Sequence, residues 1–158
     1  MPRRAKHYWL MKSEPGAYSI EDLERDGETC WEGVRNYQAR NTMRDDMKVG
    51  DLVLFHHSSA NPPGVAGIAK VVKNAYPDHC AFDEESKYFD AKSRPESPTW
   101  MMVDVGFVEK FNEVVSLAEM KAEPKLEGML VTKRGMRISV QPLEKKHFEQ
   151  VRRMGRKL

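Results

Sequence analysis

A chain of 158 residues, 40% hydrophobic and 32% charged, suits one folding unit with a sizeable core and excludes wholesale disorder. No apolar run approaches the roughly 18 residues of a membrane span, and no signal-peptide h-region follows the basic start, so an intracellular protein is expected. The net charge of +2 hides an asymmetry: residues 1–12 carry +4 and residues 144–158 carry +4, which leaves −6 between them. Basic ends around an acidic middle fit a polyanion contacted at one edge, although a solvated tail is the commoner reason for a charge run.

Residues 1–6 read as a flexible basic lead-in to a single domain spanning 1–158. His7–Lys12 is rich in β-formers and predicts a first strand, which the Pro15–Gly16 turn breaks. Ser19 then caps a short helix, with Asp22 as its capping-box partner and Gly27 as its end. Lys48–Phe55 predicts a strand whose continuous apolar run, Leu52 to Phe55, implies cover on both faces. Gly64–Val72 follows the Asn61–Gly64 turn and completes a hairpin, closed at Tyr76–Asp78. Residues 79–98 are polar and turn-rich. Thr99–Glu109 alternates as a long strand, with Met101, Val103, Val105 and Phe107 on one face. Ser116 and Glu119 repeat the capping box, Ile138–Leu143 is a late strand, and Glu144–Met154 is an amphipathic helix with Phe148 and Val151 on one side and Gly155 past its end. Strands separated by turns, with short inserted helices, predict an α+β fold built on a mostly antiparallel, partly closed β-barrel with a C-terminal helix.

Cys30 and Cys80 form no CxxC unit and alone cannot make a structural zinc site; two reduced thiols are the plain reading. His56 and His57, adjacent on a strand, point to opposite faces and make a poor metal pair. No cofactor and no metal are expected.

The segment Trp31–Asn41 places a tryptophan, two arginines and two asparagines in eleven residues without an apolar period. Stacking, amide hydrogen bonding and phosphate-seeking cations are what an unstacked nucleobase demands. Trp31 offers a plane, Asn36 and Asn41 offer donors and acceptors, and Arg35 and Arg40 offer charge. Each has a plainer role too: a core tryptophan, helix caps, surface ion pairs. Lys12 and Ser13, at the end of the first strand, and His56 and Ser58, at the end of the next, are placed to line a pocket.

Tyr8–Pro15, Trp31–Asn36 with Ala39–Asn41, Met47–Asp51, Phe55–Ser58, Gly67–Val71, Tyr76–Asp78 and Pro98–Trp100 together resemble the EVE domain over nearly the whole chain. The resemblance implies a PUA-like fold, related to the YTH and ASCH domains. It also implies a non-catalytic module that binds nucleic acid carrying a modified base, with modified cytosine such as 5-methylcytosine in DNA leading. Carried over by position, the pocket would comprise Lys12, Ser13, Trp31, Asn36, Asn41, His56 and Ser58, with Trp100 as a second wall and His57 able to exchange roles with His56. Arg35, Arg40, Arg4 and Arg153 would meet the backbone. Such a protein would be cytoplasmic in a bacterium and nuclear in a eukaryote, and monomeric by default. Two other readings stand beside this one. Lys12, Ser13 and Glu14 supply the residue types of an ASCH-like amide hydrolase, and the last helix could contact a protein partner.

Overall fold

Six strands form one sheet, in the order β2-β5-β4-β3-β1-β6. They are β1 (Tyr8–Ser13), β2 (Glu28–Cys30), β3 (Leu52–His57), β4 (Gly64–Pro77), β5 (Met101–Ser116) and β6 (Val140–Leu143). The computed structural model describes residues 7–133 and 138–156; the expectations for residues 1–6, Arg4 among them, lie outside these. Every pairing is antiparallel except β1 with β3, which run parallel from Tyr8↔Leu52 to Ser13↔His57. A parallel pair needs a crossover. Here it is the stretch between β1 and β3, which carries α1 (Ile20–Asp26), β2, α2 (Tyr37–Asn41) and a π-helical turn at Thr42–Asp46.

Both faces of the sheet are covered, as the unbroken apolar run of β3 demands. Val53 and Phe55 join Trp9, Met11, Leu23, Trp31, Met43 and Val103 in one cluster. Leu54, pointing the other way, joins Leu10, Ile68, Phe111, Phe148 and Val151 in a second. The mostly antiparallel sheet, short helices and C-terminal helix are as expected, but β2 and β6 are edges and the sheet does not close.

Local chemistry explains the helices. Ser19 Oγ accepts from the Asp22 N–H at 3.1 Å while the Asp22 carboxylate accepts from the Ser19 N–H at 2.9 Å. Ser116 and Glu119 repeat this box at the start of α3 (Leu117–Ala122), so two orphan donors are satisfied at each helix entry. α4 (Lys145–Gly155) buries Phe148 and Val151 fully, so the helix face proposed for a partner is packed on its own domain. Two arginines at its C-terminal end are paired: Arg152 with Glu149, and Arg156, its C-cap, with Glu109 at 2.6 Å.

Several boundaries depart from the sequence expectation. β4 ends at Pro77, within the closure expected at Tyr76–Asp78, but β5 continues to Ser116, because four register shifts between the two strands interrupt the alternation that periodicity relies on. β2 has no counterpart in the sequence expectation; its three residues are too few for a period. β3 begins at Leu52, since Lys48–Asp51 forms a turn closed by the Asp51 N–H on the Lys48 carbonyl. Asp51, 1% exposed, also accepts from His7 N–H, Trp9 Nε1 and Lys48 N–H at 3.0–3.2 Å. Gly155 lies inside α4, where a Cβ would come within 2.3 Å of the Phe111 ring.

Candidate functional site

At the carboxyl ends of β1 and β3 the chain encloses a cavity of about 730 Å³, within the range of small-ligand sites. Lys12, Ser13 and Glu14 come from the end of β1, and Ser58 from the end of β3. Thr29 to Arg35 come from β2 and the segment after it, and Lys87 and Tyr88 from the polar excursion. The Ser58 N–H donates to the Ser13 carbonyl at 2.9 Å and fixes the two strand ends together. Ser13 Oγ donates to the Tyr18 carbonyl at 2.6 Å, which ties the turn carrying Ala17 and Tyr18, both lining residues, to the end of β1.

Trp31 is both wall and core. It is 8% exposed and meets Phe55 edge-on, with ring centroids 5.4 Å apart. Its remaining surface contributes to the cavity. The segment after it is shaped by Asp78, which is fully buried. One carboxylate oxygen accepts from Gly33 N–H at 2.8 Å and Arg35 Nη1 at 3.0 Å, and the other accepts from Cys80 N–H at 2.8 Å. Gly33 adopts φ +83°, and a Cβ there would sit 2.5 Å from the Tyr88 ring. A glycine is therefore required for Tyr88 to close against this segment.

Four of the expected pocket residues, Lys12, Ser13, Trp31 and Ser58, line the cavity. The others are placed elsewhere. Asn36 is exposed and caps α2, its side-chain oxygen accepting from Ala39 N–H at 2.9 Å. Asn41 is exposed and accepts from Arg40 Nε at 3.0 Å. Trp100 donates to Asp90 at 2.7 Å, stacks on Tyr37 at 4.9 Å between centroids, and lies under the Arg35 guanidinium. His56 is buried beside Lys12, its register partner, and neither ring nitrogen meets a hydrogen-bond partner among the described residues. His57 Nε2 accepts from Ile20 N–H at 3.1 Å, which fixes that nitrogen as unprotonated.

The arginines are engaged within the protein. Arg35 lines the cavity, yet its Nε and Nη2 donate to the Tyr88 carbonyl at 3.1 and 2.7 Å and its Nη1 to Asp78 and the Val34 carbonyl. Arg40 donates to the Thr99 carbonyl at 2.7 Å and lies over Tyr37. Arg153 is exposed on α4, which packs with the second cluster, whereas Trp31 packs with the first. Sequence reasoning missed Lys87 and Tyr88, which reach the cavity only through long-range folding, and Tyr18 and Gly33, which lie close in the chain to Ser13 and Trp31.

Burial tunes the titratable groups. It pushes the His56 imidazole down to about 4, helped by the nearby Lys12 charge. It also lowers Lys12 and His57 from their ordinary values. Burial and the adjacent Glu32 carboxylate raise both thiols, Cys80 to about 12. A nucleophilic role for either free thiol is therefore unsupported.

A family model described as the EVE domain matches residues 7–154. Human thymocyte nuclear protein 1 is 42% identical over 161 residues, covering 90% of this chain and 71% of that protein. A crystal structure of the human protein, in complex with 5-methylcytosine-containing DNA, superposes with a TM-score of 0.88 at 41% identity, covering 97% of this chain and 99% of that one. The structure of a hypothetical protein from Leishmania major gives 0.91 at 46% identity, covering 96% and 95%. A YTH domain from Zygosaccharomyces rouxii, at 14% identity and a TM-score of 0.54 over 97% of this chain and 88% of that one, shares the fold.

Proposed function

Since this chain belongs to the EVE-domain family, we propose that it is a non-catalytic module that binds nucleic acid by taking a modified base, foremost 5-methylcytosine in DNA, into the cavity beside Trp31. The observation that carries this reading is the cavity itself. It sits at the carboxyl ends of paired strands and combines an indole face with short polar side chains and a lysine. Base–aromatic stacking is worth about 1–3 kcal/mol, enough to offset much of the few kcal/mol that extruding a base costs. Trp31 supplies the plane, Ser13 and Ser58 edge contacts, and Lys12 and Lys87 charge for the flanking phosphates. The crystallised complex of the human relative with 5-methylcytosine-containing DNA supports the choice of ligand. No described helix is long and apolar enough to cross a membrane, and a nuclear or cytoplasmic setting follows from the proposed ligand.

A hydrolase built on Lys12, Ser13 and Glu14 draws on the same wall. In this structure, however, the Ser13 hydroxyl proton is directed at the Tyr18 carbonyl rather than at a base. The test is a fluorescence titration with paired oligonucleotides, with and without 5-methylcytosine, alongside a product assay. Trp31 lines the cavity whereas Trp9 and Trp100 do not, so quenching reports binding in the wild type, and anisotropy of labelled oligonucleotides reads the variant that lacks this indole. Because Trp31 is also core, Trp31→Phe is the informative variant and Trp31→Ala is not. The expected result is tighter binding of the modified oligonucleotide, weakened about tenfold in Trp31→Phe, without turnover. Equal affinity for both oligonucleotides would sink the reading.

A further inference from the structure

The only two cysteines of the chain, fifty positions apart, meet at one carboxylate. Glu32 Oε2 lies 3.9 Å from Cys30 Sγ, 3.0 Å from Cys80 Sγ and 3.2 Å from His79 Nε2. The ligand atoms of Cys30, Glu32 and His79 all fall within 4.8 Å of one another; buried Cys80 stands outside that group and approaches it through Glu32. Around a tetrahedral zinc with bonds of about 2.0–2.3 Å, adjacent ligand atoms stand roughly 3.3–3.8 Å apart. The three separations from Glu32 already bracket that edge. Two thiols, an imidazole and a carboxylate make a borderline-soft donor set, which selects zinc-like cations over magnesium or calcium.

The backbone explains the gathering. Cys30 and Glu32 flank Trp31, so in extended chain they project to the side opposite the indole. His79 and Cys80 open the 3-10 turn His79–Phe82, and Asp78 holds that turn through Cys80 N–H while also holding Gly33 N–H. The Asp78 contacts thus position both halves of the cluster independently of any cation. His79 and Glu32 are exposed and Cys30 is half-buried, so an ion can enter from solvent.

We propose that Cys30, Glu32 and His79, with Cys80 as a fourth ligand, form a binding site for a zinc-like divalent cation at the lip of the cavity. Binding displaces the thiol protons to solvent and forms metal–sulfur bonds with no change of oxidation state. It ties the segment on either side of Trp31 to the turn after β4. Two thiolates and the Glu32 carboxylate around a dication leave the net charge of the site unchanged, so occupancy fixes the geometry beside Glu32, a cavity-lining residue, rather than its charge.

Cobalt(II) titration of the full chain, followed by absorption, tests this. A thiolate-to-cobalt charge-transfer band can arise only from Cys30 or Cys80, because the chain holds no other cysteine. The expected result is a band that saturates at one equivalent and is abolished by equimolar zinc. Cys30→Ser and Cys80→Ser should each diminish the band, and Glu32→Gln and His79→Ala should each weaken binding at least about tenfold. Circular dichroism of the exposed-site variants Glu32→Gln and His79→Ala confirms their folding. Absence of the band at one equivalent, or equal affinity in wild type, Glu32→Gln and His79→Ala, overturns the proposal. Neither outcome depends on nucleic-acid binding.

Discussion

Replacing Arg35 by alanine separates a structural arginine from a phosphate-binding one. Its guanidinium is the charged partner of Asp78, a carboxylate with no solvent exposure, and the Arg35 side chain is itself 22% exposed. Removing one member of a buried pair costs about 3–5 kcal/mol, because the other charge is left unpaired. Gly33 and Cys80 would still donate to Asp78, which places the loss near the lower end, about 3 kcal/mol. For a chain of this size that is a fall of roughly 6–12 °C in Tm, and the domain stays folded at ambient temperature if its stability is ordinary. Urea unfolding measures the loss, and DNA affinity across a salt series measures the rest. Since all the Arg35 nitrogens donate within the protein, the slope of log K against log salt should not change. A stability within about 0.5 kcal/mol of wild type, with the slope shallower by about one phosphate contact, would refute this reasoning.

Gly33→Ala forces a side chain into φ +83° and into the Tyr88 ring; it should cost about 2 kcal/mol and expose residues 79–98 to limited proteolysis. Gly155→Ala should destabilise despite alanine's better helix propensity, because the new Cβ meets Phe111 at 2.3 Å; a thermal melt gives the sign. His56 titrates near 4 in the folded protein, against 6.5 for an unperturbed imidazole. The unfolded chain therefore takes up a proton first as pH falls. Stability is full above about pH 6.5 and declines toward pH 4 by up to about 3 kcal/mol, and urea midpoints in His56→Phe should lose that part of the slope.

What could be read from the sequence was local. Ser19 with Asp22 and Ser116 with Glu119 form their capping boxes because both partners lie within one turn of chain. The β3–β4 hairpin was legible because its two apolar runs flank a short turn. Lys12, Ser13 and Ser58 were placed at a pocket because strand ends are where polar groups gather. The opposite wall was hidden. Tyr88 reaches the cavity through Arg35, 53 positions away, and Gly33 through Asp78, 45 positions away, and no period or spacing records such pairings. Asn36, Asn41, Arg35 and Arg40 suit base or phosphate contacts by type, but the fold engages Asn36 in a helix cap, Asn41 with its neighbour Arg40, and the two arginines with the Tyr88 and Thr99 carbonyls.

The parallel pairing of β1 with β3 joins Tyr8 to Leu52, 44 positions on, and one whole side of the cavity belongs to the connection between them. Closing so long a connection costs entropy that is recovered only when the strands pair. The unfolded chain therefore holds no partial pocket, and a ligand can favour only the folded molecule. Occupancy then adds RT ln(1 + [L]/Kd) to global stability, about 2.7 kcal/mol at a hundredfold excess over Kd. The unfolding transition of the entire domain thus becomes a gauge of which base the cavity prefers.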